Sequence, residues 1–152
     1  DFSCMKEMVR LEPLVDIVEG KQVMTNAVAL KDIDIMKVKK EELTFSSPFK
    51  LTVKSDEVCH ALIAYFDIDF ALGHKKIHFS TGPHAKYTHW KQTVFYLEKD
   101  LVVHKGDSIE GTLSCKPNEK NPRDLDIDLE CWTQKKDGKT IDGKQRSEFN
   151  MR

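Results

Sequence analysis

Histidine is the residue type whose spacing first suggests chemistry, because four of the six histidines fall within one short span. These four are His74, His78, His84 and His89. Zinc sites take their ligands at compact, repeated spacings, and neither a Cys-x-x-Cys nor a His-Glu-x-x-His motif occurs in the sequence. Cys59 and His60 are adjacent in a strand candidate, so their side chains point to opposite faces. We therefore expect neither a metal site nor a cysteine–histidine dyad.

Serine nucleophiles and phosphate loops are missing from the sequence as well. No serine stands in a Gly-x-Ser-x-Gly elbow, and there is no glycine-rich phosphate-binding loop. The sequence thus lacks the usual marks of a hydrolase of that type and of a nucleotide site. Its 25 Asp and Glu residues leave a glycosidase-like carboxylate pair open, because a sequence does not determine the distance between two carboxylates.

Acidic residues alternate with apolar ones in the segment 124–131, which reads Asp-Leu-Asp-Ile-Asp-Leu-Glu-Cys. In a strand, this alternation places Asp124, Asp126, Asp128 and Glu130 on one face and the apolar residues on the other. The favoured interpretation is a solvated outer face, with Lys or Arg on neighbouring strands diluting the like charges. The alternative is a negative stripe that attracts a basic peptide.

A histidine and a tryptophan stand together near the end of the stretch 79–92. Turn residues such as Gly82 and Pro83 precede His89 and Trp90, and a clear strand candidate follows them. A rigid scaffold usually displays functional groups at such a position. The residues alone leave two alternatives open. Either the pair belongs to a site, or Trp90 closes one end of the fold and His89 bonds to a backbone carbonyl.

Strands must carry these groups, because larger side chains recur with a period close to two from Val28 onward. The strand candidates are 45–53, 58–70, 77–81, 91–98, 108–115, 124–134 and 146–151. The residues Lys105-Gly106-Asp107 predict a hairpin, and helices are predicted at 4–10 and, more weakly, at 34–42. The sequence thus predicts an all-β, mainly β fold. It would be a β-barrel or sandwich of about seven or eight mostly antiparallel strands with a short N-terminal helix.

Composition narrows the class of protein further. With 152 residues, 39% of them hydrophobic, the chain can bury one sizeable core, and the usual size of a domain leaves little room for a second. Its net charge of −1 supplies no overall field for nucleic acid or an anionic membrane. Apolar runs such as Ala61–Phe66 are too short for a spanning helix or a signal sequence, so we expect a soluble, unexported protein. The cysteines are widely spaced, which favours reduced thiols; they are Cys4, Cys59, Cys115 and Cys131.

Three segments make the sequence similar to a known family. They are Ser80-Thr81-Gly82-Pro83, the stretch 88–96 that reads Thr-His-Trp-Lys-Gln-Thr-Val-Phe-Tyr, and the stretch 117–125 that reads Pro-Asn-Glu-Lys-Asn-Pro-Arg-Asp-Leu. The chain resembles the C-terminal half of a type I protein arginine methyltransferase. The similarity also covers Glu12-Pro13-Leu14-Val15-Asp16 and Leu43-Thr44-Phe45, so it spans nearly the whole chain, and the fungal members are the most similar.

The resemblance implies a division of the chain. Residues 1–26 would be a remnant of a dimerisation arm and residues 27–152 a substrate-binding β-barrel, while the Rossmann-like domain that holds S-adenosylmethionine would be absent. Thr88, His89 and Trp90 would line the entrance of the active site. His89 would have an orienting role: it would bond to a carboxylate of the donor domain and so hold the substrate cleft together. Trp90 would form part of the wall of the arginine pocket.

Further residues and partners follow from the same resemblance. Substrate contacts would come from Tyr87. The acidic face described above would add Asp124, Asp126, Asp128 and Glu130 if it attracts a basic peptide. Dimerisation would use Met5, Met8, Leu11 and Leu14. The chain itself would bind no cofactor and no metal, whereas the parent enzyme would use S-adenosylmethionine.

The parent enzyme would be a homodimer in the nucleus and cytoplasm. It would methylate arginine/glycine-rich proteins and histone tails without direct contact to nucleic acid or membrane. The chain alone is expected to be inactive. The alternatives are a freestanding peptide-binding module and an oligomerisation module.

Overall fold

Strands dominate the computed structural model of the chain, which describes residues 12–140 and 144–152. Nine strands lie in these two ranges: β1 (Leu14–Asp16), β2 (Phe45–Thr52), β3 (Glu57–Ala64), β4 (Asp67–Phe70), β5 (Ile77–Ser80), β6 (Gln92–Val103), β7 (Ser108–Pro117), β8 (Leu125–Gln134) and β9 (Gln145–Met151). Two 3-10 helices, Gly20–Gln22 and Lys40–Leu43, precede β2. The all-β prediction is confirmed, and the strand pairs are antiparallel.

Two sheets and a hairpin make up the architecture. One sheet has four strands in the order β2-β7-β8-β9, and the other has three in the order β1-β6-β3. β4 and β5 pair with each other as a separate hairpin. At the start of β6, Gln92–Val94 pairs with β1, and Thr93 and Val94 also pair with the end of β3. The turn that precedes β6 is therefore anchored in the middle of a sheet.

The core lies between the inward faces of the two larger sheets. Every second side chain of β8 is buried in Ile127–Thr133, as the alternation predicted. Phe95 and Phe149, from opposite sheets, meet edge to face with their ring centroids 5.1 Å apart. The amide of Gln145 joins β9 to β6. Its Oε1 accepts a hydrogen bond from Lys99 N–H at 3.0 Å, and its Nε2 donates to Lys99 O at 3.1 Å.

The turn at residues 105–107 does not form the predicted hairpin. β6 and β7, which it connects, belong to different sheets. The turn bonds instead to the end of β2, since Gly106 N–H donates to Val53 O at 3.0 Å and Val53 N–H donates to Asp107 O at 2.9 Å. The turn residues correctly marked a reversal of the chain. The pairing, however, was decided by the inward faces of β6 and β7, which cover the core from opposite sides.

The predicted strand 58–70 is two strands. β3 ends at Ala64, and β4 begins at Asp67 within the hairpin. Between them, Phe66 exchanges hydrogen bonds with Thr81: Thr81 N–H donates to Phe66 O at 3.0 Å, and Phe66 N–H donates to Thr81 Oγ1 at 3.1 Å. The apolar alternation continues through this break, so the sequence pattern predicted one strand instead of two.

Three segments differ from the predicted elements or lie outside the described residues. β1 was not predicted, because its side chains are exposed and no core-facing pattern marks it. The predicted helix at 34–42 is a turn after Asp34 followed by the 3-10 helix Lys40–Leu43. The predicted helix at 4–10 lies outside the described residues. Within the described residues, no helix is long and apolar enough to cross a membrane.

Candidate functional site

Thr88, His89, Trp90 and Lys91 form a tight turn directly before β6. Lys91 N–H donates to Thr88 O at 3.1 Å, which places His89 and Trp90 at the two central positions. Lys91 has a φ of 54°, and no other non-glycine residue in the described ranges has a positive φ. This left-handed conformation costs a lysine roughly 1–2 kcal/mol. Neighbouring contacts must therefore hold the turn in the shape that exposes His89 and Trp90.

Trp90 rests on the β4–β5 hairpin and on its neighbour in the turn. Its ring stacks on Phe79 with centroids 5.9 Å apart, meets Phe66 edge to face at 5.7 Å and lies 4.0 Å from the ring of His89. The other side of Trp90 is open, with 47% of its surface exposed. Trp90 is not part of the core cluster. His89 forms no hydrogen bond to a backbone carbonyl within the described ranges.

A groove of about 700 Å³ runs beside this turn. Its lining is largely apolar and consists of His78, Phe79, Ser80, Ala85, Lys86, Tyr87, Thr88 and Trp90. The aromatic faces of Tyr87 and Trp90, both exposed, can pack against a guanidinium and its aliphatic stem. No Asp or Glu of the described residues lines the groove. An arginine bound here needs carboxylate partners from elsewhere.

Thr81 and Gly82 follow directly after Ser80 of the groove lining, and close contacts hold both of them. Thr81 is buried, and its hydroxyl donates to Phe66 O at 2.9 Å and accepts from Phe66 N–H at 3.1 Å. Gly82 lies under the ring of Tyr65, whose Cε2 would be 2.7 Å from a Cβ at this position. These contacts fix the backbone of Phe66 where its ring supports Trp90. Phe79 is the first residue of the stretch 79–92, so its contact with Trp90 could have been predicted from the sequence. No local pattern predicts the contact between Phe66 and Trp90.

The acidic residues predicted to share one strand face project outward from β8, although the first of them, Asp124, lies just before the strand. Arg146 of β9 forms a bidentate ion pair with Asp128, and that carboxylate raises the pKa of the guanidinium above its ordinary value. Lys144 lies 2.8 Å from Glu130. These are the cations that the solvated-face interpretation predicts. The acidic residues do not line the groove, and their binding of substrate stays a prediction.

Buried thiols supply no nucleophile. Burial raises the pKa of Cys59 to about 11 and that of Cys131 to about 12. Both are therefore protonated near neutral pH and react poorly. They and the half-buried Cys115 are free thiols, and Cys4 lies outside the described residues.

Within residues 12–140 and 144–152, no three His, Cys, Asp or Glu side chains cluster as metal ligands.

Of the residues predicted for dimerisation, Leu14 is the one that the structure describes. It lies in β1, the edge of the three-stranded sheet, and is 45% exposed. An exposed edge strand is a surface to which another chain can add. Met5, Met8 and Leu11 lie outside the described residues, so this role stays a prediction. So does the domain boundary after residue 26, where Asn26 N–H bonds to Thr52 O of β2 at 3.2 Å.

A family model matches residues 1–136, and its description is the arginine methyltransferase oligomerization subdomain. The chain belongs to the arginine methyltransferase family. Protein arginine N-methyltransferase 1 of Schizosaccharomyces pombe is 54% identical to this chain over 129 residues, which are 85% of the chain and 38% of that protein. The enzyme of the same name from Chlamydomonas reinhardtii is 49% identical over 129 residues, which are 85% of the chain and 37% of that protein.

A solved structure agrees with this assignment. The Trypanosoma brucei PRMT1 enzyme-prozyme heterotetrameric complex with AdoHcy contains a chain that matches with a TM-score of 0.92 and 37% identity. The match covers 100% of the present chain and 47% of the matched chain. Our chain therefore spans less than half the length of the relatives it matches. The predicted family, its fungal likeness and its barrel fold are confirmed.

Proposed function

We propose that this chain forms the substrate-binding barrel of a protein arginine N-methyltransferase. The observation that carries the proposal is the turn Thr88–Lys91, which displays His89 and Trp90 beside an aromatic groove. The names of the relatives supply the reaction. The donor domain would correspond to the part of those relatives that lies outside the match.

The barrel's task in this reaction is positioning. Bound S-adenosylmethionine would supply an activated methyl group: an N–CH3 bond to the target guanidinium would form as the S–CH3 bond of the sulfonium breaks, and the nitrogen would release a proton to solvent. Alignment and exclusion of water then matter more than a strong base. Trp90 and Tyr87 would hold the guanidinium and its stem by cation–π and apolar contact, which contributes about 0.5–2 kcal/mol. His89, next to Trp90, would bond to a carboxylate of the donor domain and keep the two halves in register.

The described residues of this chain do not fit the methyl donor itself. The groove has no acidic residue that could bond to ribose hydroxyls, and the sequence has no glycine-rich turn that opens a helix, the usual seat of such a group. We therefore expect the chain alone to transfer no methyl group.

Partners follow from the same proposal. The matching family model is described as an oligomerization subdomain, and β1 presents an exposed edge on which Leu14 lies. We expect a homodimer in the parent enzyme. Arginine/glycine-rich proteins and histone tails would be the substrates, in the nucleus and cytoplasm.

A titration followed by NMR tests the barrel's part in substrate binding. The ¹⁵N-labelled chain is mixed with a peptide of Arg-Gly-Gly repeats and, as a control, with the matched Lys-Gly-Gly peptide. We expect shifts of the Tyr87 amide and the Trp90 indole that are several-fold smaller with the lysine peptide, because lysine lacks the planar guanidinium. Shifts confined to Asp126–Glu130 would contradict the proposal and support a freestanding module that binds through its acidic face. Equal response to both peptides, or to neither, would also contradict it.

A further inference from the structure

Gln92, the first residue of β6, is buried although its side chain is polar. It is 7% exposed, and both ends of its amide are bonded. Nε2 donates to Thr81 O at 2.7 Å, and Oε1 accepts from Val18 N–H at 2.8 Å. The two partners come from distant segments, one directly after β5 and the other shortly after β1. A single side chain thus joins the N-terminal segment to Thr81, which directly follows Ser80 of the groove lining.

Thr81 continues this contact to the support of Trp90. Its backbone N–H and its hydroxyl form three hydrogen bonds with the backbone of Phe66, at 2.9–3.1 Å. The ring of Phe66 meets Trp90 at 5.7 Å, and Trp90 stands two residues before Gln92 in the sequence. The contacts from Val18 through Gln92, Thr81 and Phe66 to Trp90 are therefore continuous.

A second contact joins the same two regions. Lys91 Nζ lies 3.6 Å from Asp16 Oδ1, and Asp16 is the register partner of Gln92 in the sheet. Lys91 is also the residue with the unfavourable positive φ. β1 is three residues long with exposed side chains, so few buried contacts hold it in place. Segments of this kind change position at low free-energy cost.

We propose that Gln92 is a positioning residue that transmits the placement of residues 14–18 to His89 and Trp90. The inference rests on the proposed function, in which the N-terminal segment serves oligomerisation and the turn faces the arginine. Oligomerisation would then set the geometry of the turn, so that assembly and substrate positioning are coupled through one buried amide.

A double-mutant cycle on this chain, without peptide or donor, tests the coupling. Val18→Pro removes the N–H that bonds to Gln92, whereas the control Val18→Ala keeps it. Gln92→Met is close in size and removes both hydrogen bonds. Gln145→Met is its matched control, because Gln145 is also a buried glutamine, 8% exposed, with both ends of its amide bonded to Lys99.

The readouts are the indole N–H resonance of Trp90 and the ring resonances of His89. Each variant carries Trp132→Phe, which leaves Trp90 as the sole tryptophan of the chain. Gln92→Asn, which keeps the amide but shortens its reach, replaces Gln92→Met in the cycle if that variant does not fold.

We expect Val18→Pro to shift both signals in the chain that retains Gln92, and this shift to be lost when Gln92 is replaced. The shift should persist in Gln145→Met, and Val18→Ala should cause none. If Gln92 were merely structural, both glutamine variants would lose stability while the Val18→Pro shift remained. Equal shifts in all backgrounds, or none in any, would overturn the proposal. Because no peptide is used, failure here is distinguishable from failure of the proposed function in the titration.

Discussion

Cys59 and Cys131 illustrate at the residue scale how burial determines side-chain chemistry. They are 4% and 1% exposed and lie on opposite sheets of the core. Loss of solvation is the main cause of both raised pKa values, and Cys59 itself adds to the rise at Cys131. In this setting a thiol acts as a small apolar residue.

The raised pKa of Cys59 predicts a loss of stability in alkaline solution. Because the folded pKa of about 11 exceeds the ordinary 9.0, the folded state holds the proton more tightly. The stabilising contribution is complete below the ordinary pKa and is lost as the pH rises through the folded one. Between about pH 8 and about pH 10, Cys59→Ala should therefore lose less free energy of unfolding than the parent chain, by on the order of 1 kcal/mol. Urea unfolding of both chains at the two pH values measures these free energies. Equal losses in the two chains would refute the raised pKa of Cys59.

The exposed position of His89 and Trp90 before a strand could be predicted from the sequence, because turn residues followed by a strand mark a display position. The residues that support them could not. Phe66 contacts Trp90 from another segment of the chain. The sequence does not distinguish Gln92 from other polar residues at the start of a strand, because its partners Thr81 and Val18 are distant in the sequence. Contacts between distant segments leave no local pattern.

At the scale of elements, the four-stranded sheet depends on a glycine in the middle of β7. Gly111 lies opposite Phe49 of β2 and Cys131 of β8. A Cβ at this position would collide with Glu130 O and lie 2.6 Å from Cζ of Phe49. The backbone oxygen cannot give way without disturbing the ladder. Close approach of a neighbouring strand is a common reason for glycine within a sheet.

Gly111→Ala should therefore lower the free energy of unfolding by about 1–3 kcal/mol or more, as overpacking of a core does. Gly73→Ala is the control, because a Cβ there would meet nothing closer than 3.5 Å, and it should change stability by less than about 0.5 kcal/mol. Urea unfolding of the two variants and the parent measures the difference. Equal stability of both variants would show that the sheet accommodates the methyl group.

Strand positions were largely predictable, whereas pairing was not. Alternation located β2, β7 and β8, because each exposes one face and buries the other. It could not reveal that the turn at 105–107 crosses between sheets, nor that the chain leaves the sheet at Phe66, since both depend on distant hydrogen-bond partners. β1 was not predicted, because a short edge strand with exposed side chains has no core-facing pattern.

At the scale of the whole molecule, the barrel presents two surfaces that could meet a basic peptide. The acidic face of β8 is balanced by Arg146 and Lys144, while the groove beside Trp90 is apolar and aromatic. Both surfaces were predicted from the sequence. Whether the carboxylates of the acidic face form ion pairs with neighbouring cations could not be predicted from it. The structure favours the groove, since Asp128 and Glu130 on the acidic face are already paired with Arg146 and Lys144.

The most direct test of the central claim, that the turn Thr88–Lys91 faces the target arginine, is methyl transfer by a fusion protein. The part of the Schizosaccharomyces pombe relative that lies outside the match is joined to this chain and supplied with S-adenosylmethionine and an Arg-Gly-Gly peptide. Trp90→Ala is compared with the control Trp132→Ala, whose ring lies under Lys144 at 4.6 Å and away from the groove lining. The chain alone serves as the second control.

We predict that the fusion transfers methyl groups and that the chain alone does not. Trp90→Ala should lower kcat/KM by about tenfold, which corresponds to ~1.4 kcal/mol of lost stabilisation, and Trp132→Ala should leave it unchanged. A folded fusion that binds the donor and works equally well with Trp90→Ala would contradict the account, as would methyl transfer by the chain alone.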